Sequence, residues 1–258
     1  MTRRKGLKSR RPWLSALLGG ALAGGTLLAW PVHAMPADTT NAPPAATTAS
    51  KSPKTLRWSA DPRKGIREFS SVQCDTKTFG TTTDQSKGRV WQVRQPAHLE
   101  RCEGVGPTVT AGSTYYLGWS SKFHITDSTS RYLFQLKCSP SVGTANHPIV
   151  LVVTHGHIEL QEWTHKHKKV VLWRTKAVND RWNTYALKIY GHRTKGTIQF
   201  WFNGVPQKLS NGSYTFTGTT YDGTRDYLKW GVYHTAPATA TQWLSTIKMG
   251  TSLADVKS

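Results

Sequence analysis

From Leu56 onward the chain is a succession of short segments, alternating or rich in aromatics, each closed by Gly, Asn, Asp, Ser or Pro. No stretch holds a helical period, so the chain must bury its apolar side chains on sheet faces. Strands are predicted at 67–73, 88–94, 114–125, 131–138, 148–154, 157–163, 170–174, 183–190, 197–202, 227–233 and 242–249. Asn203-Gly204, directly after Ile198-Gln199-Phe200-Trp201-Phe202, is a two-residue hairpin signal. No internal repeat is visible. This number and spacing of strands predict one all-β sandwich of jelly-roll type over residues 55–258.

The residues before it read differently. Arg3, Arg4, Lys5, Lys8, Arg10 and Arg11 precede an apolar, Gly/Ala-rich run from Trp13 to Trp30 and the small-residue pattern Pro31-Val32-His33-Ala34. Residues 1–34 are therefore expected to be an export signal cleaved on secretion, with Arg10-Arg11 of the twin-arginine type, from a bacterial cell. Cleavage leaves no segment for stable membrane insertion. Residues 35–54, rich in Pro, Ala and Thr, are expected to be a disordered spacer.

The formal charge is +20, of which six positive charges fall in the signal, leaving +14 on the exported chain. Such an excess draws a polyanion by long-range attraction and counterion release. Export argues against nucleic acid and for an acidic polysaccharide, bound by a monomer. Cys74, Cys102 and Cys138 are expected to give one disulfide in an oxidising compartment. Cys138 falls on the apolar side of its segment, which favours Cys74 with Cys102. No spacing of metal ligands is present, and the run from His165 to Lys169 reads as a solvated basic loop.

The period of two assigns faces. In 227–233, Tyr227, Lys229, Gly231 and Tyr233 share one face, while Leu228, Trp230, Val232 and the following His234 share the other. In 131–138, Arg131, Gln135 and Lys137 face out, and Tyr132, Phe134, Leu136 and Cys138 face the core. In 114–125, Tyr116, Ser120, Lys122 and His124 lie opposite Tyr115, Leu117, Trp119, Phe123 and Ile125. Together these faces predict a groove lined with cations, amide donors and aromatics.

Tyr227-Leu228-Lys229-Trp230-Gly231-Val232-Tyr233 resembles the C-terminal signature of the jelly-roll polysaccharide lyases, a group that includes heparin lyase I, glucuronan lyases and alginate lyases. Gln135-Leu136-Lys137 resembles the Gln-x-His or Gln-x-Lys strand of that group. Arg101-Cys102-Glu103 resembles its Arg-x-Glu element, and 173–204 resembles the heparin-lyase-I-like branch. The resemblance implies cleavage of a uronic-acid polymer by β-elimination. The cations must then neutralise the sugar carboxylate as charge develops next to it.

The resemblance further implies that Arg101 and Gln135 meet the carboxylate, that Tyr233 is the general acid and in some substrates the base, and that Lys229 favours its ionised form and helps hold the sugar acid. Glu103 would orient Arg101, and Arg131, Tyr227, Lys122 and His124 would line the sugar chain. The separate base is open between Lys137, His98 and His124. No cofactor is required, and a calcium ion, if bound, would be structural. Two other classes compete. A lectin-like binder on the same fold would keep the basic groove without needing Tyr233 four residues after Lys229. A glycoside hydrolase needs paired carboxylates, and Glu159 and Glu162 form no such pair in the sequence.

Overall fold

The computed structural model describes residues 55–257, so the expected signal and spacer at 1–54 lie outside the described residues. In chain order the strands are β1 (Leu56–Ala60), β2 (Ser71–Val72), β3 (Phe79–Asp84), β4 (Gly88–Gln95), β5 (Arg101–Val109), β6 (Thr114–His124), β7 (Arg131–Ser139) and β8 (Ile149–Thr154). They continue as β9 (His157–Trp163), β10 (Lys169–Lys176), β11 (Asn183–Tyr190), β12 (Gly196–Phe202), β13 (Val205–Pro206), β14 (Phe216–Gly218), β15 (Arg225–Tyr233), β16 (Ala240–Leu244) and β17 (Ile247–Gly250). A four-residue helix, Leu253–Val256, closes the chain behind a Ser252 capping box.

The strands form two antiparallel sheets. One has seven strands in the order β10-β9-β8-β7-β15-β5-β2. The other has ten, with β13-β12-β11-β6-β16-β4-β3 as its path and β1, β14 and β17 attached. Between them lies an aliphatic and aromatic core including Trp91, Trp119, Phe134, Leu136, Leu187, Phe200, Leu228 and Trp230, all under 2% exposed. The Asn203-Gly204 hairpin joins β12 to β13 with both residues at positive φ, as that turn demands. Cys74 and Cys102 are bonded, and Cys138 is buried with its Sγ 3.2 Å from Thr144 Oγ1.

Several predicted segments are redrawn. Residues 67–73 hold a 3₁₀ turn, Ile66–Glu68, and the short β2. The single strand expected at 242–249 is two, β16 and β17, parted at Ser245-Thr246. The strand β5 was not predicted, because Gly104, Gly106 and Pro107 break its pattern. Those glycines admit rings from the core: a Cβ on Gly104 would come within 2.7 Å of Phe69, and one on Gly106 within 2.8 Å of Trp230.

Two bulges set which side chains leave the core. Between β7 and β8 the register slips between Tyr132 and Phe134, and between β15 and β7 it slips between Trp230 and Tyr233. The second slip contains Gly231 at φ 138°, where a Cβ would lie 2.2 Å from the Cys102 carbonyl oxygen. Gly231→Ala is therefore expected to destabilise the fold by roughly 2–5 kcal/mol, from backbone strain and overpacking combined. Urea unfolding against the parent chain measures it, and a loss under about 0.5 kcal/mol, the scale of an ordinary surface substitution, would contradict this account.

Candidate active site

The open face of the seven-stranded sheet gathers residues from three adjacent strands. Cross-strand register places Tyr233 opposite both Arg101 and Tyr132, and Lys229 opposite Gln135. Glu103 is the centre of this cluster. Its carboxylate is 1% exposed and accepts from Gln135 Nε2 (2.5 Å) and from Lys229 Nζ, with Arg101 Nη1 4.0 Å away. A carboxylate so buried is held charged only by partners of this kind. Burial pulls the Lys229 ammonium below the ordinary lysine range, and Glu103 opposes that shift.

Lys229 and Glu103 therefore lie beneath the surface. Lys229 was expected to help hold the sugar acid and Glu103 to orient Arg101 beside it, but each is about 1% exposed, and they fix the groups above them. Gln135, 2% exposed, is likewise committed to Glu103. Arg101 and Tyr233 form the accessible layer. The Arg101 side chain is 29% exposed, binds Glu100 (Nη2 to Oε1, 2.6 Å) and lies 4.9 Å from the Tyr233 ring centroid. Burial, followed by the Glu100 carboxylate, raises the Tyr233 phenol above its ordinary pKa, and Arg101 only partly offsets them. The expectation that Lys229 would tip Tyr233 towards ionisation is thus corrected: its Nζ is 6.0 Å from the ring and neutralised by Glu103.

Lys137 is half-buried and belongs to the loop that follows it. Its Nζ donates to Cys138 O (2.9 Å), Ser141 Oγ (2.7 Å), Asn146 O (3.1 Å) and Asn146 Oδ1. Burial lowers its pKa, yet an ammonium surrounded by four acceptors has no lone pair to offer. Tyr227 is on the same face, paired with Lys137 and 5.0 Å from the Arg225 guanidinium.

Four other expected residues lie elsewhere. The bulge at Leu133 reverses the alternation, so Arg131 is fully buried, donating to Asp127 Oδ2 (2.8 Å) and Ala238 O (3.0 Å). Lys122 and His124 are on β6 of the ten-stranded sheet, where Lys122 Nζ binds Asp84 Oδ2 (2.6 Å) and His124 Nδ1 is 2.8 Å from Asp180 Oδ2. Alternation says which face a side chain takes, and not which sheet. His98 is exposed at φ 64° in the turn before β5, tied by its N–H to Ala236 O. The two acids that a hydrolase would need are engaged in structure: Glu159 with Gln161 and Arg174, Glu162 with the Thr219 N–H.

The same bulge brings Tyr132, expected in the core, onto the open face with its ring 5.6 Å from Tyr233. Beyond it stand His147 (5.3 Å from Tyr132) and Trp163 (4.9 Å from His147). His147 is buried, with neither ring nitrogen hydrogen-bonded among the described residues. Burial, then Lys137 and His167, hold its pKa at about 3, so the imidazole is neutral. Nothing in the local sequence marks His147, because it enters from the loop between β7 and β8.

With this geometry in place, the comparisons with known proteins can be read. The polysaccharide lyase profile matches residues 56–248, and the chain belongs to that family. An endo-β-1,4-glucuronan lyase from the fungus Trichoderma reesei superposes with a TM-score of 0.60 at 12% identity, over 78% of this chain and 98% of that one. A PL-14 alginate lyase from Aplysia kurodai gives 0.55 at 12% identity, over 77% and 100%. A carbohydrate esterase from the Shiga toxin-encoding bacteriophage phi24B gives 0.56 at 12% identity, also over 77% and 100%. No curated protein matches the chain. At such identities the likeness shows the fold, and the esterase's name is a reminder that the fold alone does not set the chemistry. The family makes the protein a polysaccharide lyase; its substrate and mechanism must come from the site.

Proposed function

We propose that the protein is an exported lyase that cleaves a uronic-acid polymer by β-elimination on the open face of the seven-stranded sheet. The observation that carries this reading is the layered arrangement: a buried Glu103–Lys229–Gln135 cluster under an accessible Arg101 and Tyr233. Two structural neighbours, a glucuronan lyase and an alginate lyase, support the substrate class.

In this reading Arg101 meets the sugar carboxylate and stabilises the enolate-like charge that develops when the neighbouring C–H proton leaves. Of the groups considered for the base, Lys137 is tied to its loop, His98 is in an exposed turn and His124 is on the other sheet, while His147 is buried and packs on Tyr132 at 5.3 Å. That leaves the Tyr233 phenolate, which takes the proton and returns it to the departing glycosidic oxygen on the same side of the ring. The positive charge comes from Arg101. The step requires no metal ion, and a calcium ion, if bound, would be structural.

Two expectations follow. Because the Tyr233 pKa is raised, only a small fraction is ionised near neutrality. kcat/KM should then rise roughly tenfold per pH unit from neutrality towards about pH 9. An acid limb near the ordinary histidine pKa would instead assign the base to an exposed imidazole, and a flat profile across this range would assign it to His147, already neutral there. Affinity for the polymer should fall at least about tenfold between roughly 50 and 200 mM salt, and a flat salt profile would remove the electrostatic basis of the reading. The reaction itself is tested by mass spectrometry of fragments from polyglucuronate and alginate. Elimination leaves one fragment lighter by a water than hydrolysis would, and fragments of hydrolytic mass would overturn the proposal.

A further inference from the structure

On the ten-stranded sheet a pocket of about 380 Å³ is lined by Arg63, Lys87, Arg89 and Lys248, together with Ser120 and Ser245. Among the described residues no carboxylate lines it. Asp61 holds Arg63 (Nη2 to Oδ2, 2.6 Å), and Asp84, which accepts from the Lys87 backbone N–H at 3.1 Å, holds Lys122 Nζ at 2.6 Å. Three cations remain. Lys87 is exposed, with its Nζ 5.9 Å from the Trp182 ring centroid; Lys248 donates to the Lys257 backbone carbonyl at 2.9 Å and has no carboxylate partner among the described residues. Arg89 is exposed, and its side chain makes no ion pair or hydrogen bond among the described residues.

The pocket lies where β16 and β17 part along β6. Leu244 pairs with Ser121 and Lys248 with Gly118, so Ser120 falls in the gap. There the backbones of Ser120 and Ser245 clasp: Ser120 N–H donates to Ser245 Oγ, and Ser245 N–H to Ser120 O, both at 2.9 Å. The Ser120 hydroxyl, fully buried, is left without a partner among the described residues. A buried hydroxyl with no acceptor or donor is costly, as is the mutual repulsion of three neighbouring cations. An oxyanion in the pocket relieves the repulsion.

A small ion would engage only part of so wide a pocket. A run of charged sugars can answer all three cations. We infer that this pocket is a second, non-catalytic site that binds carboxylate- or sulfate-bearing sugars of the polymer, on the sheet opposite the reaction. The inference rests on the proposed acidic-polymer substrate. Its consequence is that a long chain stays attached through one face while the other releases it, raising the local concentration of uncut bonds.

The test titrates long polyglucuronate, and separately heparin, into the Tyr233→Phe protein with and without the pair Arg89→Ala and Lys248→Ala. The expected result is an affinity about tenfold weaker for at least one polymer, with a shallower salt dependence. The polymer affected says whether carboxylate or sulfate is read. The charge-preserving pair Arg89→Lys and Lys248→Arg should retain most of the affinity. With Tyr233 intact, the alanine pair should cleave a glucuronate tetrasaccharide, too short to reach both sheets, at the unaltered rate. Unchanged polymer affinity would overturn the second site while leaving the proposed function standing. Tetrasaccharide cleavage that falls in step with affinity would also overturn it, by assigning the two residues to the fold. Failure of the Tyr233→Phe protein to bind either polymer would remove both readings together.

Discussion

Tyr233→Phe is expected to lower the elimination rate by about 10²–10⁴-fold, the usual contribution of a group that transfers protons in the transition state. Removing one hydroxyl leaves the ring in place, so its contacts with Arg101 (4.9 Å) and Tyr132 (5.6 Å) should persist and the fold should be unchanged. The loss should fall on kcat, with KM little altered, because the phenol acts on the proton and the leaving oxygen. Initial rates on polyglucuronate measure it. A variant within about threefold of the parent, far short of a proton-transfer contribution, would move the reaction away from this tyrosine. The neighbouring Tyr132→Phe variant separates the two phenols, since Tyr132 is given no proton to transfer and its loss should be small.

The second large effect concerns stability. Lys229→Met strands the Glu103 carboxylate, 1% exposed, with only the Gln135 amide and a guanidinium nitrogen 4.0 Å away. Breaking one side of a buried pair costs about 3–5 kcal/mol, because the remaining charge is left without compensation. The double variant Lys229→Met, Glu103→Leu removes both charges and should recover much of that loss, since an apolar pair of similar volume is often as stable as a buried ion pair. Urea unfolding of the two single variants and the double gives the coupling directly. Activity should not return with stability, because Arg101 and Tyr233 would have lost the groups that hold them. A double variant that loses as much as the sum of its singles would show that the pair is not coupled.

Much of this architecture was legible because alternation is strict where both neighbouring strands are regular. β9 and β11 have the predicted ends, and Asn203-Gly204 turns where the dipeptide requires it. The cysteine pairing was legible for a related reason: Cys138 sits on the core side of β7, as its parity implies, and is fully buried. The illegible parts are long-range. Whether Gly104 and Gly106 break a strand or admit Phe69 and Trp230 depends on rings that lie far away in sequence. The bulge at Leu133 exchanges Arg131 and Tyr132 between faces, and its cause lies in the pairing with β8. Lys122 has the right face for a groove but belongs to the other sheet. At the site, Arg101, Tyr233 and Gln135 came together as the motifs imply, whereas the burial of Lys229 and Glu103 is a property of the packed cluster that spacing does not carry.

Elimination from a uronic-acid polymer leaves an unsaturated sugar at the cut, which ultraviolet absorbance detects. The protein would be incubated with polyglucuronate, alginate, heparin, heparan sulfate and hyaluronan in parallel. A steady rise on at least one polymer, absent in the Tyr233→Phe protein, is the result this account requires. Polymer that is bound or shortened with no rise in absorbance would contradict it, and would leave the open face of the seven-stranded sheet as a binding surface or as the seat of a different reaction.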